Sequence, residues 1–196
     1  MPSPVSYASG TSQQPLLGLT IGAQFDEIVA AYPDRPAIVS VHQAIRLTYA
    51  ELAQAVDTLA RALMAVGLGK GDRIGIWSPN NVEWLVTQYA SAKVGAILVT
   101  INPAYRVHEL DYVLKQSGCK ALVLQNQFKT SDYEAMTLSL CPELDHCAVG
   151  NLQSEKFPDL TTVISLSSSP CAGIFDWADL LRTASSVSTA QLTARQ

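Results

Sequence analysis

The segment Gly67-Leu-Gly-Lys70-Gly-Asp72 combines glycines with a lysine, the residue types with which a backbone loop cradles phosphate oxygens. Such a loop follows a strand and opens a helix, because the helix N-terminus supplies free amides and a positive dipole. Here a helical apolar period precedes it and strand residues follow, and Gly71 stands after Lys70 where a phosphate loop has Ser or Thr. We read it as a helix stop and turn. Ser117 and Lys120 have the Ser-x-x-Lys spacing that lets a lysine activate a serine one helical turn away, but that chemistry needs the pair to open a helix and this pair closes one. His108 beside Glu109 and Asp111 has the chemistry of a base or metal ligand, while acids at a helix start already have a role opposite the macrodipole. Cys141, His146 and Cys147 are metal-ligand types without the second pair of a tetrahedral site. Trp77, Trp84 and Tyr89 surround one strand–helix unit and lack interleaved basic residues, which fits core packing rather than base stacking. There is no Gly-x-Ser-x-Gly elbow. Spacing alone therefore assigns no catalytic, cofactor-binding or metal residue.

The elements that would position any site alternate between helix and strand. Ile21, Phe25, Ile28, Val29 and Tyr32 share a helical face that Pro33 stops. Residues 37–41 and 45–49 read as a small hairpin around His42, Gln43 and Ala44. Thr48 and Glu51 have capping-box spacing before Leu52, Val56, Leu59, Leu63 and Val66, and Gly67 ends that helix. Ile74 to Trp77 is a strand, and Asn80 caps a helix carrying Val82, Leu85, Val86 and Tyr89. Ala96 to Ile101 is apolar almost throughout, which predicts a strand covered on both faces. Leu110, Val113 and Leu114 mark a helix ending near Gly118, and Ala121 to Leu124 a buried strand. Ser131 and Glu134 repeat the capping-box spacing before a helix that Pro142 closes, and Thr161 to Leu166 is the last strand. The pattern predicts an α/β fold, a mostly parallel sheet flanked by helices with a small amino-terminal hairpin. Ligands of such sheets sit beyond the carboxyl ends of the strands, here Ser78–Asn80, Asn102–Arg106 and Gln125–Gln127. Residues 1–19 read as a flexible lead-in, 20–166 as the α/β unit, and 167–196 as a Ser/Thr-rich linker with one short helix near Asp176 to Thr183.

Composition excludes several classes. With 48% hydrophobic and 15% charged residues among 196, the chain is no disordered polymer. A net charge of −4 offers no basic field for nucleic acid, and no apolar run is long enough for a transmembrane segment. Arg35 is the first basic residue, which disfavours secretory and mitochondrial presequences, and four scattered cysteines do not form a disulfide scaffold. A cytoplasmic chain with reduced thiols is expected. Few charges also leave apolar surface to bury against another domain or in a homo-oligomer.

The stretches Arg46 to Leu52, Gly67 to Asn80, Ala92 to Tyr105, Glu109 to Leu124 and Pro158 to Ser165, in that order, resemble the amino-terminal part of the acyl-adenylate-forming enzymes, and the last two resemble fatty acyl-CoA synthetases of the medium-chain type. The resemblance covers about residues 20–166. It implies one subdomain of a larger adenylate-forming fold and a two-step ligase: a fatty acid and ATP give an acyl-adenylate, and coenzyme A then gives the thioester. ATP, Mg²⁺ and coenzyme A are the implied cofactors of the full enzyme. The family's Ser/Thr/Gly-rich ATP loop has no counterpart here, and residues 167–196 hold a single glycine, Gly173. Hence no family catalytic residue carries over, no cofactor is expected to bind these residues alone, and the rest of the ligase is the expected partner. An isolated, inactive fragment is the expectation. A non-catalytic binding or regulatory module acting through a partner, and a nucleotide-binding α/β protein of another class, are the rival readings.

Overall fold

The computed structural model describes residue 10 and residues 16–168 and 170–196. Of the lead-in read at 1–19, residues 1–9 and 11–15 lie outside the described residues. Helix α1 (Ile21–Ala31) starts where the Thr20 hydroxyl accepts from the Ala23 amide, and it buries Phe25 while leaving Ile21 exposed. The predicted apolar face is thus only half used. Strands β1 (Pro36–Ser40) and β2 (Ile45–Thr48) form the expected antiparallel hairpin. Helix α2 (Tyr49–Ala65) opens on the expected capping box: Glu51 accepts from the Thr48 amide at 2.8 Å while the Thr48 hydroxyl accepts from the Glu51 amide at 3.2 Å. Its Leu52, Val56, Leu59 and Leu63 are buried.

Strands β3 (Arg73–Trp77), β4 (Ile97–Ile101), β5 (Ala121–Leu124), β8 (Thr162–Ser165) and β9 (Phe175–Asp176) form one parallel sheet in the order β4-β3-β5-β8-β9. Helices α3 (Val82–Val94) and α4 (Val107–Ser117) are its first crossovers. A two-residue pair, β6 (Gln127–Phe128) with β7 (Ser131–Asp132), leads into α5 (Tyr133–Leu140), and α6 (Trp177–Arg182) and α7 (Thr189–Arg195) end the chain. Period-two alternation splits the core into two layers. Ile74, Ile76, Ala121, Val123 and Ile164 face α1, α2, α3, α6 and α7, whereas Trp77, Leu122, Leu124 and Val163 face α4 and α5. Gly75 keeps the second layer thin: a Cβ there would lie 3.2 Å from Cys119, Ile101 and Leu122 side-chain atoms.

Five expectations need correction. The cap of α3 is Asn81, whose side chain accepts from Trp84 N at 2.8 Å, not Asn80. The cap of α5 is Asp132, not Ser131; Ser131 is in β7, and Glu134 accepts from Ser165 Oγ instead of closing a box. Strand β4, expected to be covered on both faces, is covered only in part: it lies at the sheet edge among the described residues, Ile97 is 49% exposed and only Ile101 is buried, because apolar composition does not show where the cover comes from. Thr162–Ser165 is followed by one more strand, β9. Residues 177–195 are two helices joined by a 3-10 turn, and Leu180, Ala184 and Leu192 are buried in the α2 layer, so a second helix and packing against the core are found where a Ser/Thr-rich linker with one short helix was expected.

Candidate functional site

The three strand ends expected to form a ligand rim do converge at the carboxyl edge of the sheet. After β3, Asn81 donates from Nδ2 to Ser78 Oγ at 2.9 Å and to Gln125 Oε1 at 3.1 Å, tying the ends of β3 and β5 together. Gln125 in turn donates to Asn126 Oδ1 at 3.1 Å. After β4, Asn102 turns the chain by accepting from the Ala104 amide at 2.9 Å, and its carbonyl accepts from Trp77 Nε1 at 3.1 Å. The fully buried Trp77 ring stacks on Tyr133, centroids 3.7 Å apart and 10° from parallel. Tyr133 donates its hydroxyl proton to Pro103 O, and desolvation pushes its pKa up to about 12, so it stays a neutral donor. At the end of β8, Ser165 donates to Glu134 and accepts from the Ser167 amide at 3.0 Å. Further out, Arg106 donates to Thr130 Oγ1 at 2.9 Å.

This rim is a belt of amides and hydroxyls satisfied by one another. It fixes loop geometry and presents polar groups; its one hydroxyl–carboxylate pair among the described residues, Ser165 with Glu134, also takes the Ser167 amide and so holds the turn after β8. Asn81, Tyr133, Glu134 and Ser165 were missed from the sequence. The Asn80–Asn81 doublet is a signal for the first, displaced by one residue; the other three join only through the fold.

The remaining candidates fall apart spatially. The Gly67–Asp72 turn lies at the opposite, amino edge of the sheet, with Gly67 and Gly71 at φ +80° and +86°. Its own Asp72 carboxylate accepts from Gly69 N at 2.9 Å and pairs with Lys120 Nζ at 3.0 Å, so an internal anion fills the position a phosphate would take. Ser117 donates back to Val113 O at 2.7 Å while Lys120 reaches Gly67 O and Asp72, so serine and lysine serve different partners. Glu109 is held below the usual carboxylate range by backbone amides, its own first and then that of Arg106, and it caps α4. Asp111 is held low by Lys115 and then by Lys156, at 2.9 and 2.8 Å, and His108 is exposed. Burial pushes the Cys141 thiol up to about 12, and neighbouring Glu143 adds to it, while His146 is exposed. Among the described residues no group of three His, Cys, Asp or Glu side chains is placed to hold a metal ion. Trp77 and Tyr89 are packing residues, Tyr89 stacking on Phe25 at 4.4 Å; Trp84 instead lines a surface groove.

The family model of the AMP-binding enzymes matches residues 25–179. The chain is 46% identical over 169 residues to a mitochondrial medium-chain acyl-CoA ligase of Macaca fascicularis, covering 85% of this chain and 27% of that one. It is 42% identical over 187 residues to the mitochondrial medium-chain acyl-CoA ligase of Danio rerio, covering 95% of this chain and 31% of the relative. A solved fatty acyl CoA synthetase of Mycobacterium tuberculosis superposes with a TM-score of 0.64 at 26% identity, over 83% of this chain and 28% of that one. The chain thus spans under a third of the length of these three relatives. With a family match over most of its length and a parallel α/β sheet of the same architecture, the chain belongs to the AMP-binding enzyme family.

Proposed function

We propose that these residues are the amino-terminal part of an ATP-dependent fatty acid–CoA ligase, which joins a carboxylate to AMP with loss of pyrophosphate and then passes the acyl group to the thiol of coenzyme A. The observation that carries the reading is the 46% identity, over 85% of this chain, to a medium-chain acyl-CoA ligase. The part played by these residues is scaffold. Their donor set does not fit a magnesium triphosphate: the glycine turn is closed by Asp72, and the Ser78, Asn81, Gln125 and Asn126 side chains of the rim are bonded to one another. We accordingly route no chemical step through them and assign the reaction centre to the remainder of the enzyme. The similarity extends over 169 residues and so takes in most of the sheet and its helices, which supports a shared framework.

Grafting tests this. Replacing the matching 31% of the Danio rerio ligase with this chain gives a full-length chimera. The expected result is a folded chimera that converts octanoate, ATP and coenzyme A to octanoyl-CoA. A folded chimera without thioester formation, beside an active parent ligase, overturns the reading.

A further inference from the structure

Among the described residues, strand β4 leaves one edge of the sheet unpaired along its whole length, and its own sequence does not discourage pairing. Ile97-Leu-Val-Thr-Ile101 has no charge, proline or bulge, and its register with β3 is regular from Arg73↔Ile97 to Trp77↔Ile101. Isolated edges are ordinarily blunted by lysine, proline or a bulge. The amide of Ile97 donates to Asp72 O at 2.8 Å, so in a parallel ladder Ile97, Val99 and Ile101 face β3. The N–H and C=O groups of Leu98 and Thr100 therefore point to the open side.

An apolar groove of about 460 Å³ adjoins this edge, lined by Ile21, Trp84, Ala92, Ala96, Leu98 and Thr100 among others. Ile21 is 62% and Ile97 49% exposed, so apolar side chains flank the open backbone. The chain also ends beside it. Gln196 donates from Nε2 to Asp26 Oδ2 at 2.9 Å and lies 3.3 Å from a Cβ built on Gly22, one residue from Ile21.

Resting on the ligase reading above, we infer that the β4 edge and its groove are the seat of a β-strand from the remainder of the enzyme. That strand pairs with Leu98 and Thr100 and places an apolar side chain against Trp84 and Ala92. The occupant is intramolecular because this chain spans only 27% and 31% of the two matched ligases, and Gln196 lies next to the groove. Main-chain hydrogen bonds would supply the pairing and the groove the selectivity for an apolar residue.

Amide hydrogen exchange of the chimera and of the 196-residue chain tests the inference. In the chain alone, Leu98 and Thr100 should exchange at near-unprotected rates while Val99 is protected; in the chimera both should slow by about 100-fold or more. Thr100→Pro removes an N–H that β3 does not use, so it should leave the melting temperature of the chain alone unchanged and lower that of the chimera. Fast exchange at Leu98 and Thr100 in an active chimera overturns the strand-docking inference and leaves the ligase reading standing. A folded but inactive chimera with both amides protected does the reverse. Protection in the chain alone that grows with protein concentration identifies a second copy as the occupant and also overturns the inference.

Discussion

Three helices meet at one buried ammonium, and removing its partners should cost more than removing the ammonium itself. Lys93 of α3 is 3% exposed and pairs at 2.6 Å with both Asp26 of α1 and Asp57 of α2. The two carboxylates are 43% and 37% exposed, so water already carries part of their charge. Asp26→Asn or Asp57→Asn alone leaves Lys93 one carboxylate and should cost about 1 kcal/mol. The double Asn variant strands a desolvated ammonium among neutral acceptors and should cost about 3–5 kcal/mol. Lys93→Met keeps an unbranched apolar stem, gives up the Nζ contact 5.6 Å from the Phe25 ring centroid, and leaves only solvated carboxylates; it should stay within about 1 kcal/mol of the parent. Urea unfolding followed by circular dichroism, with an unchanged slope, gives all four values and their coupling. A double variant no worse than the sum of its singles would refute the reasoning, as would Lys93→Met being the most damaging change.

Asn81→Ala removes both the cap of α3 and the tie from β3 to β5, and should lower stability by about 1–2 kcal/mol in the same assay, with Asn80→Ala near neutral. Glu51 is held below its ordinary pKa first by the Thr48 amide and then by the Thr48 hydroxyl. Its contribution is therefore complete above the ordinary glutamate range and is lost as pH falls through the lowered folded value. Unfolding midpoints of the native chain and of Glu51→Gln should converge on acidification; a gap that is constant with pH would contradict this. With its thiol pushed up to about 12 by burial, Cys141 should resist alkylation at neutral pH in the folded chain while the half-buried Cys147 and Cys171 react, as read by peptide mass spectrometry.

What could be seen in the residues beforehand followed their local physics. The α2 helix was legible because Thr48, Glu51, five periodic apolar residues and Gly67 all pointed the same way. Two caps were displaced by one residue, to Asn81 and Asp132, because neighbouring Asn or Ser and Asp side chains can each reach an open helix end, and only the chain's path selects one. Ile97-Leu-Val-Thr-Ile101 looks like a central strand because its apolar side chains await cover that these residues do not provide. The two-residue β9 carries no period, and Ala184 and Leu192 sit among Ser, Thr and Ala, so their burial against α2 was hidden by composition. The strand ends of the rim were legible from topology alone. Its cross-links, Asn81 to Gln125 and Ser165 to Glu134, span 44 and 31 residues and leave no mark in local sequence.

The division of labour proposed here, framework in these residues and reaction centre elsewhere, is tested most directly by pyrophosphate release from the purified 196-residue chain supplied with ATP, Mg²⁺, octanoate and coenzyme A. The account predicts a rate equal to the protein-free control, beside rapid release by the grafted full-length chimera. Pyrophosphate release from the chain alone that depends on both ATP and octanoate would contradict it.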